Sequence, residues 1–343
     1  MKTRIRRYLR VFLSLSLGFL LLWLITRGQD VEQIMLELRG ARYRWIIAAI
    51  LFALISHYLR AIRWNMLIGT MGYQTKASQT FYAVMTGYLA NLALPRMGEV
   101  TRCITLSKVS RTPFNALAGT VLAERVFDFI TLVAIVVVTL VAQFGFLRSF
   151  MNRLFWSPLI ERAGDHWLSA LAILLAVAGL LITGILFLKH KSRRPREGSF
   201  FYKLRRQYRG FANGFRTIAT MRRKWWFVTL SVLIWACYFM TVYLCFFAIS
   251  ATSHLGLQAG LTLLAVGSLG ILAPVPGGIG TYHFVTIISL TELYGIASEP
   301  ATSYAYITHA TQMLVNIVAG TLSWIILSLQ GKRAQHEPPE DSP

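Results

Sequence analysis

With 55% hydrophobic residues, 14% charged ones and a mean hydropathy of +0.53 over 343 residues, this chain is too apolar for a soluble domain. Its net charge of +21, from 35 Lys and Arg against 14 Asp and Glu, would suggest a nucleic-acid partner in a soluble protein. Here the basic residues fall between apolar runs, where the positive-inside rule and anionic head groups account for them. Anionic membrane lipids are therefore the expected partners and nucleic acid is not.

Lys2 to Arg10 followed by Val11–Thr26 has the outline of a signal peptide. Leu24 to Asp30 offers no small-x-small cleavage site, so a retained first helix is predicted. Hydropathy predicts six full spans, at about 10–26, 45–66, 116–142, 167–188, 225–249 and 303–329. The fold class is thus all-α, a polytopic membrane helical bundle. The membrane domain covers 1–330, and the polar, Pro-rich residues 331–343 read as a disordered tail.

Two stretches interrupt this pattern. Asn91-Leu-Ala-Leu-Pro95-Arg96-Met-Gly98-Glu99 lies between apolar flanks, and Pro274-Val-Pro276-Gly277-Gly278-Ile-Gly280 lies in the almost charge-free run Leu255–Leu290. Proline removes a donor and glycine loosens the backbone, so neither stretch continues a helix. A broken backbone at membrane depth survives only where protein or a watery cavity satisfies its freed groups. One interrupted segment in each half points to a transporter's binding site.

Segment 189–224 carries 13 basic residues against one acid, Glu197, with Phe200, Phe201, Tyr202, Leu204, Tyr208, Phe211 and Phe215 interleaved. It reads as an amphipathic helix lying on an anionic membrane surface. Placing the N-terminal arm, 60–113, 189–224 and the tail on one side gives that side 27 Lys and Arg, against 7 on the other. The expectation is a multi-pass protein of the bacterial inner membrane with both termini cytoplasmic. Residues 79–110 then start and finish in the cytoplasm and 257–294 outside, as two inverted re-entrant hairpins. Four short full spans would keep the same parity.

Charge inside a span marks a functional candidate. Glu124 and Asp128, at i and i+4, share a face of the third span, while Arg125 points about 100° away. Two acids so close call for a cation, expected from Arg96 or Arg102 of the first hairpin. Glu99 and Arg102, at i and i+3, are close enough to pair, and an arginine beyond a helix break suits an anionic lipid head group. Arg60 and Arg63 read as snorkelling to the cytoplasmic interface. In the second break, Pro276 fixes the kink, Gly277, Gly278 and Gly280 allow close backbone approach, and His283 follows. His309, Gln312 and Asn316 form a polar stripe on the last span, as suited to interhelical hydrogen bonds as to a pathway. Cys103, Cys237 and Cys245 lack metal-ligand spacing, and no Cys-x-x-Cys, His-Glu-x-x-His, Gly-x-Ser-x-Gly or phosphate loop occurs. No metal, cofactor or catalytic residue is expected.

The two breaks, with Glu124-Arg125-x-x-Asp128 between them, resemble the lysylphosphatidylglycerol synthase transmembrane-region family, also called the flippase-like domain family, over roughly residues 8–330. The resemblance implies a multi-helix bundle with re-entrant hairpins that handles lipid head groups. It also implies that the soluble synthase part is not expected in these 343 residues. Members of the family usually carry a glutamate where this chain has His283, which puts the head group or the coupling in question. The leading expectation is a lipid translocase, with a midplane cavity around Arg96, Glu99, Arg102, Glu124, Asp128 and His283. The alternatives are a membrane-embedded glycosyl- or phosphotransferase on a lipid substrate, with Glu124 and Asp128 as its acidic pair, and a non-catalytic assembly subunit. Homo-oligomerisation stays open.

Overall fold

The computed structural model describes residues 16–94, 97–143, 221–273 and 275–336, the last six by backbone alone. The span expected at 167–188, nearly all of 189–224, and Pro95, Arg96 and Pro274 lie outside the described residues. Contacts divide the chain into two compact units, 1–139 with 214–343, and 140–213. The first unit holds the cavity and the charged residues of interest.

Helix α1 (Ser16–Thr26) leads to α2 (Val31–Arg39), which starts where the Asp30 side chain accepts from the Glu32 and Gln33 N–H groups and stops at Gly40. Helix α3 (Tyr43–Thr70) follows, then α4 (Ala77–Ala93), α5 (Met97–Ser110) and α6 (Phe114–Ala142). After the second unit come α7 (Lys224–Phe246), α8 (Leu257–Leu272), α9 (Thr281–Ile288) and α10 (Ser298–His336). Among the described residues α3, α6, α7 and α10 are long and apolar enough to cross a membrane. The described chain is an all-α membrane bundle, and the protein is a multi-pass membrane protein.

Helices α4 and α5 have 17 and 14 residues, and α8 and α9 have 16 and 8. Each falls short of the roughly 20 residues that span a bilayer, a length that suits either re-entrant hairpins or short spans. In the first hairpin α4 and α5 touch at Gly87 and Gly98, where a Cβ on Gly87 would stand 2.8 Å from the Gly98 carbonyl oxygen. That approach lets Asn91 Oδ1 accept from the Gly98 N–H at 2.7 Å, so a residue in the last turn of one helix satisfies an N–H in the first turn of the next.

The second break is a 3₁₀ turn, Pro276–Gly278, followed by a left-handed Gly280. Gly277, Gly278 and Gly280 have φ of +60°, +73° and +84°, where side chains are strained. Its freed carbonyls are met by side chains. Thr281 Oγ1 donates to Gly270 O at 2.8 Å and to Gly278 O at 3.2 Å, and His309 Nε2 lies 2.9 Å from Gly277 O. Gly280 has a further task, because a Cβ there would collide with the backbone of Gly18 on α1. The return helix α9 then loosens into a π turn, Ser289–Leu293.

Two apolar clusters hold opposite ends of the bundle. One contains Ala49 of α3, Phe246 of α7, Leu263 of α8 and Tyr304 of α10. The other contains Trp64, Leu106, Leu117, Phe227 and Leu327, from α3, α5, α6, α7 and α10. Helices α3, α7 and α10 run through both, so their middle turns lie between two dry plugs.

A cavity where the two breaks meet

Those middle turns line a cavity of about 630 Å³. His57 and Arg60 reach it from α3, Trp235 and Tyr238 from α7, and His309, Gln312 and Asn316 from α10. Asn91 and Glu99 bring the first break to its wall, and Gly277 and Gly278 bring the second. Helix α6 supplies Arg125, Asp128, Phe129 and Leu132. Two segments some 180 residues apart in sequence thus border one space at mid-bundle depth.

Behind this wall lies a lattice of three arginines and two carboxylates. Glu124 is fully buried; its Oε1 accepts from Arg63 Nη2 at 3.2 Å and forms an ion pair with Arg60 Nε at 2.8 Å, and its Oε2 forms an ion pair with Arg102 Nη2 at 2.8 Å. Asp128 accepts from Arg60 Nη2 at 2.7 Å and from Arg63 Nη2 at 2.6 Å. Arg60 also donates to Tyr88 and Tyr238, Arg63 donates to Ser231, and the Arg102 guanidinium lies 4.6 Å over the Trp64 ring. The lattice ties α3, α4, α5, α6 and α7 together. Ion pairs of this length offset part of the desolvation cost, but not every donor and acceptor is used: Arg60 Nε, Arg63 Nε, Arg102 Nε and Nη2, and Glu124 Oε2 are buried with no hydrogen bond among the described residues.

Two sequence expectations need correction. Arg60 and Arg63 do not snorkel: they are 5% and 0% exposed and supply the cations that Glu124 and Asp128 require. The reason is that α3 runs on to Thr70, leaving both inside the helix rather than at its end. Arg102 does not pair with Glu99. It turns to the buried Glu124, and Glu99 pairs instead with Arg125 Nε at 3.2 Å, where the two side chains are 30% and 41% exposed. The fully buried carboxylate, with no water to fall back on, takes the arginine.

Of the sequence candidates, Glu99, Arg125, Asp128, Gly277 and Gly278 border the cavity. Arg102 and Glu124 stand behind it, in the lattice. Pro276 and Gly280 shape the break, and Arg96 lies outside the described residues. His283 is buried and is not among the cavity's lining residues: its Nδ1 accepts from the Gly280 N–H at 3.4 Å, and its ring lies 4.6 Å from that of His309. His309 and His57 are the histidines that border the space. Sequence reasoning passed over His57, Tyr88, Trp235 and Tyr238. Only Tyr88, three residues before Asn91, carried a positional hint.

A family model described as the lysylphosphatidylglycerol synthase TM region matches residues 11–320. The chain is 25% identical to the glycosyltransferase AglD of Haloferax volcanii over 361 residues, covering 99% of this chain and 58% of that protein. It thus spans little more than half the length of that relative. A UPF0104 membrane protein of Methanocaldococcus jannaschii is 24% identical, with 91% of this chain and 94% of that protein covered. Another, from Methanothermobacter thermautotrophicus, is 25% identical, with 87% and 86% covered. The family match takes in both breaks and the helix that carries Glu124 and Asp128: the chain belongs to the lysylphosphatidylglycerol synthase transmembrane-region family.

Proposed function

We propose that this protein is a lipid translocase, moving the polar head group of a phospholipid or polyprenyl-linked lipid through the central cavity. The observation that carries the reading is the meeting of both backbone breaks at one cavity between two apolar plugs, its mostly apolar lining interrupted by Arg60, Glu99, Arg125 and Asp128. A head group crossing a bilayer needs polar partners at mid-depth, and irregular backbone supplies them where side chains alone are few. Arg125, Glu99 and Asp128, with the backbone at Gly277, are the groups proposed to meet it. Lys and Arg distribution supports a cytoplasmic location for both termini and for 189–224, with that segment bound to anionic lipid. The relatives named above are archaeal, so the proposed site is a cell membrane rather than a bacterial inner membrane in particular.

The test is translocation in vesicles holding the purified chain, followed by chemical quenching of outer-leaflet fluorescent lipids. Acceleration over protein-free vesicles is expected. Rates equal to those of protein-free vesicles across phospholipid and polyprenyl phosphate probes would overturn the reading. The name of the Haloferax relative favours a second reading, a lipid-linked glycosyltransferase. Against it, the acidic pair such an enzyme would use for a metal, Glu124 and Asp128, is already held by three arginines. Transfer of a labelled sugar to a polyprenyl phosphate by the purified chain would establish that alternative.

A further inference from the structure

The charges around the cavity do not balance. Three arginines face two carboxylates in the lattice, and Arg125 with Glu99 adds a neutral pair, so one positive charge is in excess. Arg60, Arg63 and Arg102 spend their guanidinium groups on protein partners. Arg125 differs: Glu99 Oε1 stands 3.2 Å from its Nε as an ion pair, it borders the cavity at 41% exposure, and its Nη1 and Nη2 make no hydrogen bond among the described residues. A guanidinium steadied on one edge and open on the other is a fork for a tetrahedral oxyanion.

The surface next to this fork is apolar. Phe129 and Leu132 follow Arg125 at i+4 and i+7 on the same stripe of α6 and line the same cavity. Ile271 and Leu272, at the end of α8, line it as well, and Phe129, Ile271 and Leu272 are 53%, 43% and 54% exposed. One cavity therefore offers an anion fork and, along one helix face beyond it, an open hydrocarbon edge.

We propose that Arg125 binds the phosphate of a phosphate-bearing lipid, with the lipid's chain lying along Phe129, Leu132, Ile271 and Leu272. The inference rests on the translocase reading for the purpose of the site but is tested by binding alone. Excess positive charge selects the phosphate, and the adjoining apolar edge selects a lipid over a soluble phosphate. Glu99 is a positioning residue that aims the fork.

Native mass spectrometry of the full chain, titrated with dioleoyl phosphatidic acid, dioleoylglycerol and inorganic phosphate, tests this. Phosphatidic acid should bind about tenfold or more tighter than dioleoylglycerol, and Arg125→Gln should erase most of that margin. Arg125→Lys, which keeps the charge without the fork, should retain part of the margin, and serves should the glutamine variant fail to fold. Phe129→Ala should weaken both lipids alike. Equal binding of the two lipids by the parent chain would overturn the proposal, as would an undiminished margin in Arg125→Gln. Displacement of phosphatidic acid by equimolar inorganic phosphate would overturn its lipid half. If the margin holds while vesicles show no translocation, the site stands and the translocase reading alone fails.

Discussion

The two interrupted hairpins solve the same problem by different means. The first break sits beside a charge lattice, with α5 sending Arg102 into Glu124 and Glu99 toward Arg125. The second has no ion pair among the described residues; glycine geometry and neutral donors hold it, Thr281 and His309 capping its carbonyls and Gly280 wedged against Gly18. One side is held by side-chain electrostatics, the other by backbone shape. On the proposed translocase reading, a path bordered by both would take charge selectivity from the first hairpin and an uncharged backbone surface from the second.

The largest effect should come from the lattice. Glu124→Gln leaves three buried arginines facing one carboxylate, and breaking a buried network in this way costs about 3–5 kcal/mol. Thermal melting in detergent should show a fall of many degrees, only weakly dependent on salt because Glu124 itself is fully buried. A midpoint within a degree or two of the parent would mean that the lattice is not what holds the first hairpin.

Gly280→Ala should come next. Its φ of +84° and the collision with Gly18 act together, for a loss of about 2–3 kcal/mol. Gly295→Ala is the control, since Gly295 has φ +65° with no atom within 4 Å of its added Cβ, and should cost only about 1–2 kcal/mol. Equal losses at the two sites would show that left-handed geometry alone, without the α1 contact, accounts for Gly280. His309→Phe tests the same hairpin more gently. It leaves the Gly277 carbonyl without its partner, a loss of about 1–2 kcal/mol, and should raise hydrogen exchange at 277–283 rather than through the bundle.

Much of this contrast can be read from the amino-acid order, and its limits are physical. Proline and glycine announce a break wherever they fall, so both interruptions are visible in the sequence. An acid in the middle of an apolar run is equally plain, and Glu124 and Asp128 stand out. Of the cations that meet them, Arg102 is legible as the nearby arginine beyond the first break, but Arg60 and Arg63 are not, because they are more than 60 residues away and an arginine in an apolar helix reads the same whether it snorkels or pairs. Hydropathy scores one residue at a time, whereas burial of charge is decided by pairs. The same blindness hides Gly18 against Gly280, and it puts His283 at the cavity by its nearness to the break when His309 of α10 and His57 of α3 are the histidines that border the space.

The smallest effect on stability should fall on the one ion pair that water reaches. Glu99 and Arg125 are partly exposed, and pairs of that kind contribute about 0–1 kcal/mol, less as salt rises. Glu99→Gln should therefore melt within a few degrees of the parent, in contrast to Glu124→Gln. Glutamine keeps the length and one acceptor, so Arg125 stays near its place, but the charge that restrains it is gone and the cavity becomes more positive by one unit. If the first hairpin acts on the head group through charge, lipid movement should change in Glu99→Gln although the fold does not, with anionic lipids affected more than zwitterionic ones. If instead both lipid classes move at the parent's rate, charge at this hairpin has no part in transport. The two breaks would then differ only in how they are built.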